Sequence, residues 1–201
     1  MSAFRTTNPT VVPGQMPCIG LWQPWASFIA WDEKRFETRG WRTDYRGRIA
    51  ILAARKWDRE IKGWCLEQPH RKVICAHLNI AQDVPDYWFL ERVRERMAFG
   101  AIAATARITN CIPTERESQI RDVVWQYGAR HELKFGDYSM ERFAWRLEDV
   151  EALAEPVPFT GRQGWFNVPE SVLRGEREAV IETVMPEKPC PLTLDLFAED
   201  V

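Results

Sequence analysis

The stretch "LWQPWASFIAWDEKRFETRGW", residues 21–41, sets four tryptophans among six charged side chains. An indole is costly to expose and a charge is costly to bury. The two can alternate this closely only where a change of secondary structure sends them to different faces. Pro24 stands where a first helical turn tolerates proline, and Trp25, Phe28 and Ile29 follow at helical spacing, which predicts a short helix over 24–32. "RFETRGW" (35–41) then alternates as a strand. In one continuous strand Lys34 and Glu37 face opposite sides. They converge only if Lys34 lies in the turn between helix and strand, where Asp32 and Glu33 mark the helix exit.

Outward from this unit, "GRIAILAA" (47–54) is an apolar strand bounded by Gly47, and "GAIAATARIT" (100–109) is a buried strand opened by a glycine. Between them Trp57, Ile61 and Trp64 make one helical stripe, and Leu90, Val93 and Met97 mark another after Asp86. Thr114 and Glu117 form a capping-box pair ahead of Ile120, Val123, Val124 and Tyr127, a helix that Gly128 ends. "RFAWRLEDV" (142–150) alternates Phe143, Trp145 and Leu147 on one face. "PVPFTGRQGWFNVP" (156–169) is strand and turn, and Ser171 to Met185 has a helical pattern. Strands come early, middle and late with helices irregularly between them. That suits an α+β fold on a small β-barrel with flanking helices better than a doubly wound parallel sheet.

The 201 residues, 45% hydrophobic and 28% charged, suit one globular domain with a sizeable core. Residues 1–17 are expected to form a flexible polar arm and 186–201 a Pro-rich acidic tail. No run of ~18 apolar residues exists to span a membrane, and no charged-then-apolar leader opens the chain. Five scattered cysteines argue for a reducing cytoplasm rather than a disulfide framework. Cys65, His70, Cys75 and His77 match no usual zinc spacing, so no metal site is expected, and nothing calls for another cofactor. A Ser-His-Asp triad is not indicated, since no G-x-S-x-G elbow occurs. The net charge of -2 hides an asymmetry. Residues 39–56 hold six basic side chains against Asp44 alone, while the chain from Glu141 onward holds six basic against thirteen acidic. That fits either an anion-binding face balanced by an acidic half, or two solvated surfaces.

Five segments in order, the opening stretch followed by "YRGRIAILAARK", "FGAIAATARI", "FGDYSMERFAWRLEDV" and "GRQGWFNV", resemble the ASCH domain, a branch of the PUA-like superfamily. The resemblance runs from about Cys18 to Val168 within a single domain over 18–185, with an insertion-like helical part over 57–98. In the family's glycine-x-lysine-x-x-glutamate-x-arginine signature, Lys34, Glu37 and Arg39 match, and Asp32 replaces the glycine. The resemblance implies a five- or six-stranded barrel, a cleft between it and the first helix, and binding of RNA, single-stranded nucleic acid or a modified nucleobase. Some members are amidohydrolases acting on acetylated cytidine, and some are nucleases. In the amidohydrolase branch a threonine stands at the position of Glu37, while Thr38 here is one residue out.

A cleft for a base needs flat rings for stacking and a few converging polar groups. Trp22, Gln23 and Trp25 beside Lys34, Glu37 and Arg39 supply both, with Arg42, Arg46 and Arg48 available for phosphates. Tyr138 and Ser139 in "FGDYS", and Arg162, Gln163 and Trp165 in "GRQGW", are further candidates for holding a nucleotide. If the site is catalytic, Lys34 with Glu37 is the candidate pair, the lysine acting as base or nucleophile on an amide. The tail offers a second kind of partner. Leu194 to Phe197 either docks on the fold or binds another protein as an extended peptide, and "TLDLF" resembles the bacterial sliding-clamp-binding peptide with Thr193 in place of its opening glutamine.

Overall fold

A computed structural model of the chain describes residues 5–126 and 131–174, without the side chains of 117, 123 and 126. In chain order the elements are β1 (Gln15–Leu21), α1 (Trp25–Ala30), β2 (Phe36–Arg39), β3 (Gly47–Ala53), α2 (Arg59–Leu66), α3 (His70–Leu78) and α4 (Asp86–Arg96). Then follow β4 (Ala101–Pro113), α5 (Glu117–Gln126), a 3-10 turn (Glu132–Lys134), β5 (Phe143–Pro158), β6 (Trp165–Pro169) and α6 (Glu170–Leu173). The fold is α+β.

The six strands make one mixed sheet in the order β2-β5-β4-β3-β1-β6, in which only β1 and β3 run parallel. The sheet is open, with β2 and β6 at its edges, where the sequence led us to expect a closed barrel. The reason lies in β1: β3 and β6 occupy both of its sides, so four-residue β2 finds no second neighbour. Register shifts along β3–β4 and β4–β5 add twist and bend the sheet. A side chain makes the remaining link from β2 to β1: Arg39 Nη2 donates to the Gly20 carbonyl at 3.1 Å.

α1 is covered on two sides, which explains its composition. Ala26 and Ile29 pack onto the sheet with Ile19, Ile51 and Trp145. Phe28 packs the other way, with Ile61, Ile74, Phe89 and Val93 from α2, α3 and α4. The opposite face of the sheet is covered by Val172 and Leu173 of α6 over Cys18, Leu52 and Phe166.

Several expectations need correction. The described part of the N-terminal arm is docked: Thr7 N donates to Arg42 O at 2.9 Å, β1 starts inside the arm at Gln15, and Asn8 Oδ1 accepts from Thr43 Oγ1 and the amides of Asp44 and Tyr45. Its polar residues serve as caps for the 42–45 loop, a use that composition does not reveal. The Thr114 hydroxyl, ahead of α5, donates to Ser139 O at 2.7 Å and accepts from Arg142 N at 3.2 Å. α3 was not anticipated, its polar His70-Arg71-Lys72 opening having hidden the Val73, Ile74 and Cys75 face. Gly128, most of the helix expected over 171–185, and the tail with Leu194 to Phe197 lie outside the described residues. Among the described residues no helix is long and apolar enough to cross a membrane.

Candidate functional site

The turn after α1 sets the position of Lys34. Glu33 N and Lys34 N both donate to Phe28 O, at 2.9 and 3.1 Å, and Asp32 adopts φ 66°. That left-handed conformation is one glycine adopts freely, and Asp32 is where the resembled signature carries glycine. Lys34 therefore belongs to the turn, the one placement that lets it share a cavity with Glu37. Its ammonium is buried 3.5 Å from Oε1 of the equally buried Glu132. Glu132 Oε2 accepts from Arg35 N at 2.5 Å, and Oε1 accepts from the Tyr138 hydroxyl at 2.7 Å. Burial first, then the charges of Glu132 and Glu37, pushes the Tyr138 hydroxyl well above its usual pKa, so it stays protonated and donates. Gly136 makes room for this group. A Cβ there would lie 2.8 Å from the Tyr138 ring, 3.1 Å from Lys34 Nζ and 3.3 Å from the Thr38 methyl.

On β2, Glu37 and Arg39 pair in register with Trp145 and Phe143 of β5, so they share the inner face with those rings. Arg39 Nε lies 2.8 Å from Glu37 Oε1, and the guanidinium sits 5.1 Å over the Trp41 ring. Together with its bond to Gly20 O, these contacts commit Arg39 to holding Glu37 and the gap between β2 and β1.

These groups face a cleft of about 1280 Å³. Lys34, Glu37, Thr38 and Arg39 line one wall; Trp22, Trp25, Trp64 and His70 line another. Lys134 to Asp137 with Arg142 close one side, and Arg55, Gly100 and residues 159–164 close the other. Trp25 meets Trp64 edge-on at 4.4 Å, and half-exposed Trp22 has Lys56 Nζ 3.6 Å over its ring. Buried His70 contributes a neutral face, since burial, and to a lesser degree Lys34, lowers its pKa against the pull of Glu67. The lining carries six basic side chains against three acidic, a net +3 in a chain of net -2. Deep in the cleft the cations are paired, Lys34 with Glu132, Arg39 with Glu37 and Arg142 with Asp137. At the exposed rim Arg55, Lys134 and Arg162 have no ion pair among the described residues.

Of the residues anticipated from sequence, Trp22, Trp25, Lys34, Glu37, Arg39, Arg162 and Gln163 line this one cleft. The others are engaged elsewhere. Gln23 is buried, donating to Ala98 O at 2.6 Å and accepting from Ser27 N at 3.1 Å. Arg42 pairs with Asp44, Arg46 donates to Thr43 O and Tyr45 O, and Arg48 pairs with Glu151 at 2.7 Å. Ser139 is held in its loop through its backbone, N donating to Asp137 Oδ1 at 3.0 Å and O accepting from Thr114 Oγ1, and Trp165 stacks on Trp145 at 5.3 Å and 6°. Tyr138 acts behind the lining, through Glu132. Sequence reasoning missed Glu132, His70, Lys134 and Arg142 as site residues. His70 drew notice only as a zinc candidate, and nothing local in "HELK" singles out Glu132. Among the described residues no cluster of His, Cys, Asp and Glu is arranged to hold a metal ion.

The ASCH domain family model matches residues 19–157. No curated protein matches the chain. Two crystal structures of mutant ZmASCH from Zymomonas mobilis, a tyrosine-to-phenylalanine and a serine-to-alanine variant, are each 14% identical to it. Each covers 80% of the chain; the matches take in 95% and 93% of their own lengths, with TM-scores of 0.41 and 0.38.

Proposed function

The chain belongs to the ASCH domain family, and we propose that its cleft holds one unstacked nucleobase, presented by single-stranded RNA or by a free modified nucleoside. Members of the family are generally RNA-binding or hydrolase-like. The observation that carries the reading is the meeting of indole faces, an inward carboxylate and net positive charge in one cavity. Stacking on an aromatic face contributes ~1–3 kcal/mol per base. Glu37 is placed to accept from an amino or imino edge of the base, and Arg39 holds it in position. Single-base recognition fits better than a strand tracking across the surface, because Arg42 and Arg48 are paired and Arg46 bonds loop carbonyls, all three outside the cleft lining. A reducing, cytoplasmic setting is part of the proposal, in keeping with free thiols buried at Cys18, Cys65 and Cys75.

Salt dependence tests it. Anisotropy of a labelled single-stranded RNA should show affinity falling as salt rises, through release of counterions from phosphates. Replacing Arg55, Lys134 and Arg162 together by Ala should weaken binding and flatten that slope, whereas Arg46→Ala with Arg48→Ala should leave it nearly unchanged. The opposite ranking would move the interface to the 42–48 loop. An identical affinity for duplex would reject single-base recognition.

A second reading, hydrolysis of an acylated nucleoside or a phosphodiester, is favoured by Lys34 Nζ, which lies beside Gly136 and Thr38 and 3.5 Å from Glu132 Oε1. An ammonium stands there beside a carboxylate, and the Thr38 hydroxyl, which accepts from Asp137 N at 3.2 Å, belongs to the same lining, the elements of acid-base or nucleophilic catalysis on an amide. Thr38→Val and Glu37→Gln each leave the Lys34–Glu132 pair intact. If acetylated cytidine is a substrate, at least one of them should lower turnover by about 100-fold or more without moving the melting temperature. Turnover that survives both would reject this site as the catalyst.

A further inference from the structure

The cleft has a second compartment. Deepening the base-binding reading and resting on it, we infer that the ligand carries a phosphate monoester, held at the rim by Arg55 and Arg162 while the base lies inward against Trp22 and Trp25.

Backbone contacts bring the two arginines to one end of the sheet. Gly100 N donates to Ala53 O at 2.7 Å, and Gly100 O accepts from Phe159 N at 3.0 Å. These bonds tie the chain entering Arg55 to the loop that carries Arg162. Ala54 N donates to Leu21 O at 2.8 Å, bringing Trp22 to the same end. Glycines let the strands meet this closely. A Cβ at Gly100 would run into the Arg55 side chain, and one at Gly161 would run into Leu52. Gly161 of "TGRQG" thus seats the loop on the sheet, leaving Arg162 and Gln163 exposed and facing the cleft.

The charge pattern then separates the compartments. Each deep cation already has a carboxylate: Glu132 for Lys34, Glu37 for Arg39, Asp137 for Arg142. Lys56, beside Trp22, is taken by Asp58 and Glu60. Arg55 and Arg162 at this end have no acidic partner among the described residues, so both are available for the negative charge of a ligand. A guanidinium matches phosphate with two parallel N–H···O bonds, and a dianionic monoester offers oxygens for both arginines. The ligand class is a nucleoside monophosphate, either free or as the phosphorylated end of a strand.

Calorimetry against four nucleosides, their 5′- and 3′-monophosphates, inorganic phosphate, and a short RNA with and without a terminal phosphate tests the inference. At least one monophosphate is expected to bind about ten-fold or more tightly than its parent nucleoside, the scale of a charge-assisted hydrogen bond. Arg55→Gln with Arg162→Gln should erase that preference, lowering affinity for the monophosphate by about ten-fold more than affinity for the nucleoside. A preference for terminally phosphorylated RNA over free monophosphate would identify a strand end as the source, and the reverse a free nucleotide. Equal binding of nucleoside and monophosphate by the wild type overturns the phosphate site and leaves the base reading standing. Inorganic phosphate binding as tightly as the monophosphates does the reverse. A preference that survives the double substitution overturns the assignment to these arginines, and silence across the whole panel overturns both readings.

Discussion

Glu132→Ala is expected to destabilise the protein by about 3–5 kcal/mol, the cost of leaving one member of a buried ion pair without its partner. Glu132 and Lys34 are both essentially inaccessible, and Glu132 also accepts from Arg35 N and Tyr138 OH, so one truncation leaves a cation and two donors unsatisfied. Urea titration reads the loss directly. A paired replacement, Lys34→Met with Glu132→Leu, should recover most of the stability, because a buried pair exchanged for apolar groups of similar size is often neutral. A neutral Glu132→Ala would show that Lys34 is solvated through the cleft. The result also bears on catalysis. Lys34→Ala leaves the buried Glu132 carboxylate without its cation, though still accepting from Arg35 N and Tyr138 OH, so lost turnover in that variant reports folding as well as chemistry. Thr38 and Glu37 are therefore the informative positions.

The parts of this site that were legible in sequence are the local ones. Helix, turn and strand follow one another within 21–41, so Trp22 and Trp25 stand close to Lys34, Glu37 and Arg39, which the resembled family signature already groups. The parts that were not legible are cross-chain pairings. Glu132 lies 98 residues from Lys34, and its burial depends on how the 131–138 segment folds back over β2. Arg48 of β3 meets Glu151 of β5 across 103 residues, reaching over the intervening β4, so that the basic segment and the acidic second half of the chain neutralise each other. The excess of positive charge over 39–56 was therefore real as composition and misleading as an interface. Barrel closure failed for a similar reason. Strand count follows from pattern, but whether an edge finds a partner depends on which strand reaches it first, and β6 occupies the free side of β1.

Substituting tryptophans one at a time should separate the two uses of indole in this chain. Trp145 is fully buried, stacked on Trp165 at 5.3 Å and edge-on to Trp41 at 6.1 Å. It packs with Ile51, Ala104 and Leu147 in the main core, and its register partner on β2 is Glu37. Trp145→Ala should cost about 3–5 kcal/mol, the usual price of removing a large core aromatic. Because the cavity opens beneath Glu37, the variant should also bind RNA more weakly even where it remains folded. Trp22 is the opposite case, 44% exposed and touching the cleft. Trp22→Ala should change stability by less than about 1 kcal/mol, losing mainly the cation–π contact with Lys56. Its effect belongs in binding, where loss of one stacking face weakens affinity by ~1–3 kcal/mol. Denaturation and anisotropy on the same two variants give the answer: a Trp22→Ala protein that binds RNA like wild type would remove the stacking face from the proposal, and a stable Trp145→Ala protein would mean that the sheet closes over the gap.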